Sequence, residues 1–221
     1  MTNQRTNSYV KFRLASIAAL VLLAVSLLRD SANASTDDDW KKAHDAGQAA
    51  LKSHDYQTAE KQFKTALTLT DSMKKADPRV TQSLDDLAAV YSYRKRYADA
   101  RTTYLKVLHL QESIHGKDDA SLIPRLNNVI KVTCINGSCY DSLPELKQLA
   151  NIRQKRFGPK CSDLPFNLQM IGEAYEKHGD FKNALQYFQQ AVSVQSKISG
   201  TDSPLARALS KNVERVQGHQ L

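Results

Sequence analysis

Glycine and proline are scarce, 8 and 6 in 221 residues. That excludes a Pro/Gly-rich disordered chain. Three cysteines are too few for a small disulfide scaffold. Beyond Leu28 there is no long apolar run, so nothing there reads as a membrane-spanning helix. Catalytic and metal patterns are missing as well. None of the six histidines forms the four-residue helical pair with an intervening Glu that zinc peptidases use, and none neighbours a Cys at zinc-finger spacing. Gly-rich phosphate loops and the Gly-x-Ser-x-Gly elbow are absent. No catalytic residue, metal ligand or cofactor is therefore expected, and an enzymatic reading has only an unrecognised site to stand on.

Charge is in modest excess. The net value is +8, from 31 Lys+Arg against 23 Asp+Glu. Residues 1–34 hold Arg5, Lys11, Arg13 and Arg29 against Asp30, so the remainder carries 27 − 22 = +5. Such an excess favours an acidic partner or anionic surface. The basic clusters Arg94-Lys95-Arg96 and Arg153-Gln154-Lys155-Arg156 lack the interleaved aromatics of a nucleic-acid platform, and no nucleic-acid partner is expected. His54 and His178 fall in polar turns and read as solvated surface.

What is present first is an export pattern. Arg5, Lys11 and Arg13 precede the uncharged run Leu14 to Leu28, and Ala32-Asn33-Ala34 supplies a small-x-small cleavage site. Fifteen helical residues rise about 22 Å, short of a bilayer core of about 30 Å. Residues 1–34 thus read as a signal peptide, with an uncleaved anchor as the alternative, and only that alternative brings a membrane. The body is expected outside the cytoplasm, periplasmic or extracellular. There an oxidising compartment permits a disulfide. Asn136-Gly137, a strong turn signal, folds the chain so that Cys134 and Cys139 can pair. Cys161, about 20 Å away along a helix, is left as a free thiol.

The decisive feature is self-similarity. Leu84-Asp85-Asp86-Leu87-Ala88-Ala89-Val90-Tyr91, Tyr97, Ala100 and Tyr104 recur 84 residues later as Leu168 to Tyr175, Phe181, Ala184 and Phe188. Gly116, Gly158 and Gly200 are spaced by 42. A weaker copy between them has Leu126, Val129, Cys139, Ser142, Leu146 and Leu149 at the matching places. An earlier one, shifted by 41, has Gly47, Ala50, Tyr56, Ala59, Phe63 and Ala66. Apolar residues at three- and four-residue steps make each copy two helices. Small residues on both, Gly47, Ala88 and Gly172 facing Ala59, Ala100 and Ala184, allow axes to approach at about 8–10 Å.

This pattern resembles the tetratricopeptide repeat, in the longer kinesin-light-chain variety, whose Leu-Asn-Asn-Leu phrase is matched by Leu126-Asn127-Asn128-Val129. The third copy departs from it, with Ile130 for the small residue, Cys139 for the aromatic and Ser142 for the alanine, and a distorted repeat is expected there. The resemblance implies an all-α, right-handed α-solenoid of four helix pairs, at about 40–78, 79–120, 121–162 and 163–203. It is preceded by an acidic lead-in, 35–39, and followed by a capping helix, 204–216, and a tail, 217–221. Asp37, Asp38 and Asp39 should cap the first helix, and Leu205, Leu209, Val213 and Val216 should form the buried face of the last. The first helix of each pair should line a concave groove that holds another protein or a peptide. His44, Gln48, Asp85, Ala89, Asn127, Lys131, Gln169, Glu173, Lys211 and Arg215 would point into it. The carboxylate clamp of chaperone-binding relatives needs Lys and Asn where His44, Gln48 and Asp86 stand, so that ligand class is not implied. A basic module for anionic polymer or lipid is the rival reading. If the export reading holds, N-terminal sequencing of the protein recovered outside the cytoplasm finds Ser35 first; an intact N-terminus on membrane-purified protein would establish the anchor instead.

Overall fold

A computed structural model describes residues 36–71 and 73–219. The expected signal peptide, 1–34, lies outside the described residues. Every regular element among the described residues is helical. The described residues divide into two compact units, 36–71 and 73–219.

In the first unit, α1 covers residues 36–52 and α2 runs Tyr56–Leu69. Asp37, Asp38 and Asp39, expected just ahead of the first helix, are already helical and exposed. No Gly or Pro interrupts the backbone there, and the helix simply extends through them. The turn to α2 places His54 at φ +62°, after which the Asp55 carboxylate accepts from the Thr58 N–H at 3.0 Å. Ala59, Phe63 and Ala66 on α2 are fully buried. Phe63 lies against Gly47 so closely that a Cβ there would meet the ring at 2.6 Å.

The second unit contains α3 (Pro78–Tyr93), α4 (Tyr97–His115), α5 (Ile123–Ile135), α6 (Leu143–Phe157), α7 (Leu164–Lys177), α8 (Phe181–Ser199) and α9 (Pro204–Gln217). Each packs on the next in chain order, from α3 on α4 to α8 on α9, the connectivity of an α-solenoid. One buried cluster runs from Leu108 through Leu126, Leu146, Ile171 and Phe188 to Leu209 and Val216. The glycine–ring contact recurs in it, a Cβ at Gly172 meeting the Phe188 ring at 2.7 Å. Residues at positive φ recur as well: Lys95 at +58°, Gly137 at +109° and Gly179 at +84° share the repeat phase of His54.

The third copy is built differently. Ile130 and Leu146, 4% and 0% exposed, occupy the places held elsewhere by a small residue and an aromatic. Bulk has moved from the second helix to the first, and the core stays filled. By repeat phase α6 should start at Cys139, as α2, α4 and α8 start at Tyr56, Tyr97 and Phe181. It starts at Leu143, after a 3-10 turn Cys139–Ser142. Pro144 explains the delay. It has no N–H to give to an α-helical interior but is accommodated in a first turn. Cys134 and Cys139 are bonded as a disulfide across this turn, their Cα atoms 4.3 Å apart, and Cys161 is free and buried.

On α9 the buried face is Ala206, Leu209 and Val216, with Val213 partly buried. Leu205, expected on it, is 48% exposed. The 3.6-residue period starting at Leu209 reaches back to Ala206 and leaves Leu205 on the flank.

Gly172→Ala tests the glycine–ring contact. Overpacking costs about 1–3 kcal/mol and helix propensity returns up to about 1. Urea unfolding should therefore show a net loss of up to about 2 kcal/mol, and Gly172→Ala made in a Phe188→Leu background should cost less than it does in the parent.

Candidate partner-binding groove

Successive side chains four residues apart on a helix share one face. On α3 this face carries Asp85, Ala89 and Tyr93; on α5 it carries Asn127, Lys131 and Ile135. Ala89 and Lys131 line an open depression of about 260 Å³ together with Ser92, Tyr93, Asn128, Val132 and Ile135 and, from α4, Tyr97 and Tyr104. Its small residues, Ala89 and Ser92, leave the space that the larger side chains enclose. Tyr93 and Ile135 are 58% and 54% exposed, a large apolar area in water for two helical side chains. Asn127 is exposed, while its neighbour Asn128 lines the depression.

Toward the N-terminal halves of α3 and α5 lies a second depression, about 410 Å³, lined by Thr81, Gln82, Asp85, Gln111, His115 and Arg125, among others. Asp85 Oδ2 and Arg125 Nη2 are 3.3 Å apart and both side chains are largely covered. Burial pushes the Asp85 carboxyl above the usual carboxylate range. Arg125 pulls it partly back, and Asp86 adds a smaller upward push. Among the described residues nothing hydrogen-bonds Asp85 Oδ1 or Arg125 Nε, although both atoms are buried.

The other expected groove residues fare unequally. Gln169 donates to Glu173 at 2.8 Å, both half-buried on α7, so much of their polarity is used internally. On α9 Lys211 is exposed, whereas Arg215 reaches Glu176 of α7 at 3.0 Å. In the first unit Gln48 is half-buried. His44 is stacked on Trp40 at 4.8 Å and tilted against Phe63 at 6.1 Å, which makes it a packing element of the α1–α2 pair. His54 is exposed as expected; His178 is exposed too, but stacks on Tyr140 at 3.6 Å.

The basic clusters are tied into the scaffold. Arg96 lies over the Tyr91 ring at 4.5 Å and pairs with Asp99 at 2.7 Å. Lys155 pairs with Asp118 at 2.8 Å and Arg153 with Asp163 at 3.5 Å. Among the described residues no group of three or more His, Cys, Asp or Glu is placed to hold a metal ion. No described helix is long and apolar enough to cross a membrane.

Reasoning from the sequence missed Tyr93, Ile135 and Arg125. The first two were within reach, being the next step of four after Ala89 and Lys131. Arg125 was not, because its pairing with Asp85 depends on how two helices pack.

Two tetratricopeptide-repeat family profiles match the chain, over residues 80–121 and 167–198. Both copies keep a small residue and a ring at the places of the contact, Ala88 with Tyr104 and Gly172 with Phe188, as the first copy does with Gly47 and Phe63. The chain is a tetratricopeptide-repeat protein. Solved structures agree in fold. Kinesin light chain TPR-like repeats from Podosopora anserina superpose with a TM-score of 0.60 at 16% identity, covering 80% of this chain and 84% of theirs. BtubC from P. vanneervenii gives 0.56 at 16%, covering 84% and 81%. A tetratricopeptide repeat protein from Parabacteroides merdae gives 0.56 at 18%, covering 82% and 61%. No curated protein matches the sequence. The tetratricopeptide repeat is in general a scaffold for protein–protein interaction and not a catalytic fold.

The raised pKa of Asp85 has a sign that can be checked. Ionisation is harder in the folded chain, so it opposes folding. The penalty is absent below the ordinary value of 3.8, grows as pH rises through the folded value, and is full above it. Asp85→Asn should therefore melt higher than the parent at neutral pH, with the two curves converging in acid below the ordinary Asp range.

Proposed function

We propose that the chain is exported and holds an extended peptide, or a segment of a partner protein, along the seam between α3 and α5. The observation that carries this reading is the depression around Ala89 and Lys131. It has Tyr93 and Ile135 exposed beside it, and its lining comes from three helices packed in chain order. Rigid elements with apolar contacts and a few polar anchors are what a peptide-binding groove needs. The export half rests on the basic stretch, the apolar run Leu14 to Leu28 and Ala32-Asn33-Ala34.

A second reading, adhesion to an anionic polymer or lipid, draws on the α6–α7 connection. There Phe157 and Phe166 are 56% and 62% exposed with Arg156 and Lys160 close by in the chain. Adhesion of that kind should fade at about 0.3 M salt, where screening reaches within several Å.

Peptides selected from a random library on the protein as its own cells process it distinguish the two. Tyr93→Ala with Lys131→Ala should weaken the selected peptides at least about tenfold, or 1.4 kcal/mol, with the helical circular-dichroism signal unchanged. Lys155→Ala with Arg156→Ala, on α6, should leave them within about twofold. The reverse result would move the site to the α6–α7 surface.

A further inference from the structure

We infer that the polar depression between the start of α4 and the end of α5 is a binding site for a neutral saccharide. It is separate from the peptide seam, with Tyr97 and Val132 on the border between the two.

The depression, about 420 Å³, is walled by the first turns of α4, the last turn of α5 and the turn that follows it. Arg101 ties these parts together. Its Nε donates to Thr133 Oγ1 at 3.1 Å and its Nη2 to the Asp141 carbonyl at 3.2 Å. Thr133 in turn donates to the Val129 carbonyl at 2.7 Å, so both side chains are committed within the fold. The Cys134–Cys139 disulfide closes the turn, and Gly137 bends it at φ +109°. The N–H groups of Asn136, Gly137 and Asp141 all donate to backbone carbonyls. Asn136 and Ser138, inside the closed loop, and Asp141, just beyond it, are therefore carried on a fixed backbone, as a preorganised site requires.

Their side chains are unused. Among the described residues the Asn136 amide, the Ser138 hydroxyl, the Asp141 carboxylate and the Tyr97 hydroxyl hydrogen-bond to no protein group. All four line the depression and none is buried: Asn136 and Asp141 are exposed, Ser138 and Tyr97 half-buried. Their chemistry is mixed. The carboxylate accepts, while the amide and both hydroxyls donate and accept. Charge in the lining cancels, Asp141 against Arg101. An anion would meet the Asp141 carboxylate, and a cation the Arg101 guanidinium. A metal ion would want more ligands than this single carboxylate, and no group of three or more His, Cys, Asp or Glu is placed to hold one among the described residues. Sugar hydroxyls each donate and accept, carry no charge and come several to a ring, so one pyranose can bond several of these groups at once. Its C–H face needs an apolar surface. Tyr97, whose ring stacks on no other ring among the described residues, supplies it. A peptide side chain brings its polar atoms to one point and reaches fewer of the four groups.

The probes are cellotetraose, maltotetraose and chitotetraose, with tetragalacturonate as the charged comparison. Binding to the processed full-length protein is read by saturation-transfer NMR and by titration up to about 10 mM. At least one neutral sugar should bind within that range, and tetragalacturonate at least about tenfold more weakly. Asn136→Ala and Asp141→Ala remove side chains that bond nothing in the fold. Each should weaken the bound sugar at least about fivefold, with the circular-dichroism signal unchanged. Tyr97→Leu, which keeps bulk but loses the ring, should weaken it as well. Tyr93→Ala with Lys131→Ala should leave it within about twofold, which separates this site from the seam. Absence of binding by all three neutral sugars, an equal or tighter hold on tetragalacturonate, or binding that survives Asn136→Ala and Asp141→Ala overturns the saccharide site. Should no sugar bind while library-selected peptides lose affinity with those two variants, the depression belongs to the peptide seam instead.

Discussion

The structure depends on a ring laid on a glycine. A Cβ at Gly172 would sit 2.7 Å from Phe188, and one at Gly47 would sit 2.6 Å from Phe63, closer than carbon atoms can approach. The missing side chain on the first helix is what admits the ring from the second. Both rings are fully buried, so each contributes about 1.5–3 kcal/mol of burial at the place that fixes the spacing of its helix pair. Glycine within a helix costs up to about 1 kcal/mol relative to alanine, and the buried ring outweighs that.

The third copy shows what the constraint is about. Ile130 and Leu146 abandon the glycine–ring shape yet keep the core closed, so the requirement is for summed volume across the contact. What the copy loses is regularity. Its second helix begins late behind Pro144, a 3-10 turn fills the gap, and the Cys134–Cys139 disulfide closes the chain over that turn. The candidate groove lies where this altered copy meets the regular second one. Its lining alternates small side chains on α3 with Tyr97 and Tyr104 on α4 and Lys131 and Ile135 on α5.

Much of this was legible beforehand, for a physical reason. A solenoid repeats its contacts at a fixed period, so Gly47, Ala88 and Gly172, the turns at His54, Lys95 and Gly179, and the helix pairs themselves could be found by shifting the sequence on itself. The period also held Tyr93 and Ile135, one turn beyond Ala89 and Lys131, had the face been followed to its end. Illegible were features that depend on how packed helices meet. Arg125 finds Asp85 across 40 positions, and His44 packs against Trp40 and Phe63. Leu205 falls off the face of α9 because its phase is set by Leu209 and Val216. Pro144 was visible in the sequence, but the late start of α6 required weighing one missing N–H against an otherwise regular repeat.

The contrast among ion pairs bears on where stability resides. Lys155 and Asp118 meet with both side chains 58% exposed, an arrangement that typically contributes little to stability. Arg125 and Asp85 meet at 31% and 24% exposure, with desolvation the dominant influence on the carboxyl. Covering a pair of charges costs more than the pair returns unless further hydrogen bonds complete it, and here one atom on each side remains uncompleted. Stability alone therefore gives no reason for a carboxylate and a guanidinium at this place, where apolar residues of similar size would fold at least as well.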